Sequence, residues 1–261
     1  MSLKKTCNTL LALVTLSFSI NATANIINFD TFKIRNNNGT TTSPYDADIV
    51  ITENAAGDGF YAETPLGGQK VGYGTNAFDG MQINQFTTVN WTTNTSATGA
   101  HPYLNMWVTD GSNYAVIASE NAYMGTNFQT RQEWKIYEFG PTGNFDWLFD
   151  SGTGSRTAGY LQRNGIKVTL ADFSNNITLY SGPVGTTSGV GAGAPRGGYG
   201  FNVLFGDTQS NFIGSYFIEN LTVAVGQTDY EAGNLTTVPE PTTLAIFALG
   251  LMGLSIRRIK K

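Results

Sequence analysis

Apolar and polar residues alternate along much of the middle of this chain. Ile166, Val168 and Leu170 are spaced by Lys167 and Thr169, the period-two pattern of a strand with one buried face. Similar stretches run from Ile26 to Ile34, Asp48 to Thr52, Met81 to Trp91, Tyr103 to Thr109 and Tyr114 to Ser119. Others run from Glu133 to Phe139, Phe201 to Phe205 and Ile213 to Val225. Gly-, Asn- and Asp-rich turns separate them, as Asp110-Gly111-Ser112-Asn113 does between two strong strands. No stretch between the two ends of the chain carries an apolar stripe at helical spacing. Many short strands without intervening helices predict an all-β fold, a single antiparallel β-sandwich of jelly-roll type. Ser181 to Gly198 reads as a long Gly-rich loop carrying Pro183 and Pro195.

The two ends follow other patterns. Lys4 and Lys5 precede an apolar run from Leu10 to Ile20, and Ala22-Thr23-Ala24 supplies the small-x-small pattern of a signal-peptidase site. Cleavage after Ala24 leaves Asn25 as the mature N-terminus. At the other end Pro239, Glu240 and Pro241 precede an uncharged stretch from Thr242 to Ile256, closed by Arg257, Arg258, Lys260 and Lys261. Pro239 and Pro241 lack amide donors and break the chain from what precedes them. A helix over the uncharged stretch spans roughly 22 Å, short of the ~30 Å hydrocarbon core, and crosses if the bilayer thins slightly. The positive-inside bias then holds the four basic residues on the cytoplasmic side.

These three parts in this order resemble the PEP-CTERM sorting signal of exported proteins in Gram-negative, exopolysaccharide-making bacteria. The resemblance implies an exosortase that recognises the tail, cuts near the Pro-Glu-Pro triplet and passes the protein onward. The expected partners are therefore the export machinery, signal peptidase and an exosortase-like enzyme, with the inner membrane holding the C-terminal hydrophobic helix until processing. The expected organisation is a signal peptide over 1–24, a β-sandwich over 25–233, a linker over 234–238 and the sorting tail over 239–261.

Removing the ends changes the charge. Six of the 15 basic residues lie in the leader and tail but only one of the 19 acidic residues does, so the region between is near −9 against −4 for the precursor. Such a region repels a phosphate backbone, which argues against nucleic acid as a partner. Cys7, in the leader, is the only cysteine, so the mature region has no disulfide and no thiolate site. Charged residues are 13% of the chain against a typical ~25%, and Gly, Thr and Asn replace them, as suits strands with hydroxyl and amide groups facing solvent.

Candidate chemistry is sparse. His101 is the sole histidine and no Gly-x-Ser-x-Gly elbow accompanies it, so a Ser-His-Asp triad is not expected. The run Glu133-Trp134-Lys135-Ile136-Tyr137-Glu138 superficially resembles the Glu-x-Asp-x-x-Glu strand of laminarinase-like glycoside hydrolases, but Lys135 stands where the central acid belongs. In a regular strand Glu133 and Glu138 also face opposite sides. No cofactor is expected. Calcium is the one ion that Asp46-Ala47-Asp48 or Asn36-Asn37-Asn38-Gly39 suits, and neither extends into the twelve-residue loop ending in Glu. The aromatic residues are more informative. All four tryptophans fall between Trp91 and Trp147, and Phe145, Trp147 and Phe149 alternate with Asp146, Leu148 and Asp150. On a strand the three rings share a face and form a candidate platform for the apolar face of a sugar. The expected function is a non-catalytic structural or adhesive role at the cell surface or in the extracellular matrix, with polysaccharide as candidate ligand. The alternatives are a polysaccharide-active enzyme on a β-jelly-roll and a self-associating surface scaffold.

Overall fold

The computed structural model of the chain describes residues 25–40, 44–95, 102–119, 126–127, 132–140, 144–181, 199–206 and 213–234. In chain order its strands are β1 (Asn25–Ile27), β2 (Asp30–Arg35), β3 (Val50–Glu53), β4 (Phe60–Thr64), β5 (Lys70–Thr75) and β6 (Phe86–Thr95). They continue as β7 (Tyr103–Thr109), β8 (Tyr114–Ala118), β9 (Thr126–Asn127), β10 (Lys135–Gly140), β11 (Gly154–Thr157) and β12 (Tyr160–Arg163). The last are β13 (Ile166–Lys167), β14 (Thr178–Leu179), β15 (Phe201–Phe205), β16 (Gly214–Val225) and β17 (Thr228–Ala232). Three short 3-10 turns, at Ile83–Gln85, Asp146–Leu148 and Leu170–Asp172, are the helical elements among the described residues. The fold is all-β.

The strands form two sheets. In the seven-stranded sheet the order is β1-β17-β16-β4-β3, with β6 beside β16 and β9 beyond it. β16 is the axis of this sheet: its first half pairs with β4 and its second half with β17, while β6 runs along its other edge. The ten-stranded sheet has the order β11-β12-β10-β8-β7-β15-β5-β2, with β13 on β12 and β14 on β7.

One pairing corrects the expectation of a wholly antiparallel arrangement, because β1 lies parallel to β17. The alternating stretch from Ile26 to Ile34 is also not one strand. It breaks at Asn28-Phe29 so that β1 joins the smaller sheet and β2 the larger.

Alternation sends one side of each sheet into a common core. Phe60, Ala62, Val89, Trp91, Tyr216 and Ile218 come from the smaller sheet, and Val71, Tyr73, Leu104, Met106, Phe201 and Val203 from the larger. The Val, Leu, Ile, Phe and Met side chains among them contribute roughly 1.5–3 kcal/mol each on full burial. Rings dominate the contact between the sheets: Phe205 and Tyr216 have centroids 3.9 Å apart, and Phe29 stacks on Tyr73 at 4.9 Å. The larger sheet is buried on its opposite side as well, where Phe32, Ile34, Tyr103 and Leu204 form a second cluster with Tyr199 against it. No helix among the described residues is long and apolar enough to cross a membrane, and the apolar stretch from Thr242 to Ile256 lies outside them.

Candidate functional site

The site begins with register. In the ten-stranded sheet Leu104, Met106 and Val108 point into the common core, so Tyr103, Asn105 and Trp107 stand on the opposite, outer face. The same alternation puts Asn202 and Leu204 of β15, and Gly72 and Gly74 of β5, on that face. Direct pairings then line up Asp30, Gly74, Asn202, Asn105, Ala118, Lys135 and Tyr160 across seven neighbouring strands. At about 4.8 Å between strands this row is about 29 Å long. Apolar rows flank it: Phe32, Leu204 and Tyr103 on one side, Trp107, Val116 and Tyr137 on the other.

The middle of the row is polar and unpaid in hydrogen bonds. Asn105 is 0% exposed, and neither its Oδ1 nor its Nδ2 has a partner. Asn202, also 0% exposed, donates Nδ2 to the carbonyls of Tyr199 at 2.8 Å and Asn105 at 3.3 Å, which leaves its Oδ1 unpartnered. Trp107 Nε1 and the Tyr180 hydroxyl are likewise buried and unpartnered. The two rings meet edge to face at 6.0 Å. Burial, and secondarily Tyr114, pushes the Tyr180 phenol up, so it stays a protonated donor. Unpartnered donors of Asn105, Trp107 and Tyr180 thus lie beside unpartnered acceptors of Asn105 and Asn202, all of them buried in this structure. An unpaired buried amide costs about 1–3 kcal/mol, so a polyhydroxyl ligand that meets these atoms recovers a penalty already present in the fold.

Gly74 lets Asn202 and Tyr199 pack directly against β5. A side chain there would collide with Asn202 Oδ1 and the Tyr199 ring. At the rim the Tyr199 hydroxyl donates to Asp30 Oδ2 at 2.9 Å, and burial followed by Asp30 pushes that phenol up. Asp79 accepts from the Ser181 hydroxyl beside Gly200, and burial raises its carboxyl above the usual range.

The aromatic platform expected at Phe145, Trp147 and Phe149 needs correction. Asp146–Leu148 is a 3-10 turn, closed by the Leu148 amide on the Phe145 carbonyl at 3.1 Å and the Phe149 amide on Asp146 at 3.0 Å. Asp146 also accepts the Gly154 amide at 2.6 Å, which turns the segment away from extended backbone. Phe145 and Phe149 are consequently in the core, and Trp147 is half-buried against it. Two of the three rings therefore have no free face.

The other candidates are dispersed. Glu133 is exposed and pairs with Lys167 at 3.1 Å, while the Glu138 side chain and His101 lie outside the described residues. Asp46 and Asp48 share the Gln69 amide at 3.1 and 2.8 Å, and Asp46 also accepts the Asn37 amide at 2.8 Å. Among the described residues no three His, Cys, Asp or Glu side chains are grouped to hold a metal ion. Ala22, Ala24, Pro239, Glu240, Pro241, Arg257, Arg258, Lys260 and Lys261 also lie outside the described residues. The smaller sheet has a shallow depression of about 260 Å³ lined by Thr88, Asn90, Thr222, Asp229 and Glu231. None of those side chains is both buried and unpartnered.

The tail has its own identification. Residues 237–259 match the PEP-CTERM protein-sorting motif. This motif implies an exported protein, sorted through an exosortase and processed at the membrane. No curated protein and no solved structure matches the chain significantly.

Proposed function

We propose that this exported protein is a non-catalytic component of the cell surface or extracellular matrix that holds a polysaccharide along the outer face of its ten-stranded sheet. On this reading the two sheets are the layers of a jelly-roll-like sandwich, and the inner membrane carries the protein only until its tail is processed. The observation that carries the proposal is the row through Asn202 and Asn105: buried amides without partners, flanked by Trp107 and Tyr180 on one side and Tyr103 on the other. Sugars offer apolar C–H faces to such rings and hydroxyls to such amides.

A polysaccharide-active enzyme is the second reading, favoured by Asp79. A carboxyl that burial pushes toward its protonated form is the kind of group that serves as the general acid in glycoside hydrolysis. One experiment separates the readings. The exported protein is passed over a panel of bacterial and algal polysaccharides, with both retention and release of reducing ends recorded. Retention without release, lost in Asn105→Ala, is the expected result. New reducing ends that vanish in Asp79→Asn replace the binder with the enzyme, and neither signal leaves the self-associating scaffold.

A further inference from the structure

We infer that the outer face of the seven-stranded sheet docks a cationic polysaccharide, a polymer of amino sugars with free amines, on Tyr61 and Phe217. This face lies across the core from the row of amides, so a ligand here does not depend on one there. Charge is divided between the sheets. Of the nine basic residues between Asn25 and Val238 (15 less the six at the ends), seven stand in strands of the ten-stranded sheet and none in a strand of the seven-stranded one. The seven-stranded sheet instead turns four carboxylates outward. Glu63 follows Ala62 of the core and Glu219 follows Ile218, while Asp229 and Glu231 alternate with Tyr230 and Ala232. Among the described residues none of the four forms an ion pair.

Two rings sit among these acids. Tyr61 of β4 pairs directly with Phe217 of β16, and Phe217 stands between core residues Tyr216 and Ile218, so both rings are on the outer face. Tyr61 is 37% exposed. Glu63 lies two residues along β4 from Tyr61, and Glu219 two along β16 from Phe217 in the opposite direction. A carboxylate therefore stands about 7 Å to either side of the ring pair. The Tyr61 hydroxyl donates to Glu63, which holds ring and carboxylate as one unit. Beyond the bulge at Asn220, Asp229 pairs with Ala224 and Glu231 with Thr222, beside Thr88 and Asn90 of β6. The array thus follows β16 from Ser215 to Ala224, a length of about 30 Å, which suits a polymer better than a single sugar.

An amino sugar matches each part of this face. Its C–H face stacks on the rings, its ammonium pairs with the carboxylates, and its hydroxyls meet the Thr and Asn side chains. A second copy of the chain carries the same excess of acid and is repelled. A peptide strand, helix or proline-rich segment needs an edge or a groove, and the depression on this face is shallow.

The test is retention of the exported protein, purified as the cell processes it, on immobilised chitosan, the same polymer fully N-acetylated, and polylysine. With the amines charged, retention on chitosan is expected to exceed that on the acetylated form by at least about tenfold, the scale of a few exposed ion pairs acting together. Added salt shrinks that excess. Tyr61→Ala weakens retention on both sugars, and Glu219→Gln narrows the gap between them. Equal retention on the two sugar polymers, or retention on neither, overturns the inference. Polylysine holding the protein as well as chitosan does, with neither affected by Tyr61→Ala, overturns the sugar in favour of any polycation. Concentration-dependent sedimentation at low salt that Glu219→Gln abolishes assigns the face to a second copy and overturns it too. The polymer comparison needs no variant, and Tyr61 is exposed, so truncating it tests the face without emptying the core.

Discussion

Asn105 concentrates the tension between stability and function at a single residue. Its amide stands between Tyr103 and Trp107 on the outer face of β7, with both polar atoms buried and unpartnered. An apolar residue of similar size removes that penalty, so Asn105→Leu is expected to raise stability by on the order of 1 kcal/mol while abolishing retention on polysaccharide. Thermal unfolding without ligand, beside a retention assay, checks both halves. A lower Tm would mean that the amide serves the fold and not a ligand. Gly74 makes the complementary case. Adding a methyl there drives Asn202 out of the row, and such overpacking costs about 1–3 kcal/mol with binding lost in parallel.

At the scale of elements, β16 shows how a long strand serves two neighbours. Its buried positions run Tyr216, Ile218, then Leu221, Val223 and Val225, so the alternation skips one residue. Asn220 is that residue, at φ 54°, and the register against β6 shifts there. The bulge restores the core-facing side and bends the strand from β4 toward β17. A β-branched residue in this left-handed conformation costs roughly 1–2 kcal/mol, so Asn220→Val is expected to lower stability by that amount and Asn220→Gly to leave it nearly unchanged. Denaturant titration of the two variants measures it.

The same local devices explain where sequence pattern succeeds and fails. Phe201–Phe205 and Tyr103–Thr109 were legible because apolar runs bounded by turns leave little alternative to strand. Ile166 to Leu170 alternates as well, yet Ile166 is 69% exposed and the strand stops at Lys167. There the Asp172 carboxylate accepts the Thr169 amide at 2.7 Å and hydroxyl at 2.8 Å, and starts a 3-10 turn instead. Lys70–Thr75 escaped notice because Gly72 and Gly74 leave the outer face without side chains to alternate. The polar row was illegible for a deeper reason. Its members come from strands far apart in the chain, and only an Asn inside each of two apolar strands marked it.

For the whole molecule, the strands nearest the expected signal peptide and the sorting motif, β1 and β17, belong to the seven-stranded sheet, and the candidate site to the other. β1 begins at Asn25, the residue after the expected signal-peptidase site, and pairs in parallel with β17. β17 ends at Ala232, shortly before the sorting motif at residue 237. Asn25 sits beside Tyr230, so the chain's entry and its departure past Asn234 lie on one edge of the seven-stranded sheet, about 13 Å apart along the strands. The polar row lies on the outer face of the other sheet, beyond the shared core. The proposed binding is therefore separable from sorting. Replacing Pro239, Glu240 and Pro241 by alanine removes the chain break and the motif's signature together, while β1, β17 and the row are untouched. The expected outcome is a protein that stays in the membrane fraction with its tail uncut, as intact mass would report, yet retains polysaccharide as well as the processed form once solubilised. Loss of retention in that variant would mean that the tail, or its removal, shapes the binding face. Normal processing would place the exosortase's recognition in the apolar stretch and basic cluster instead of the triplet.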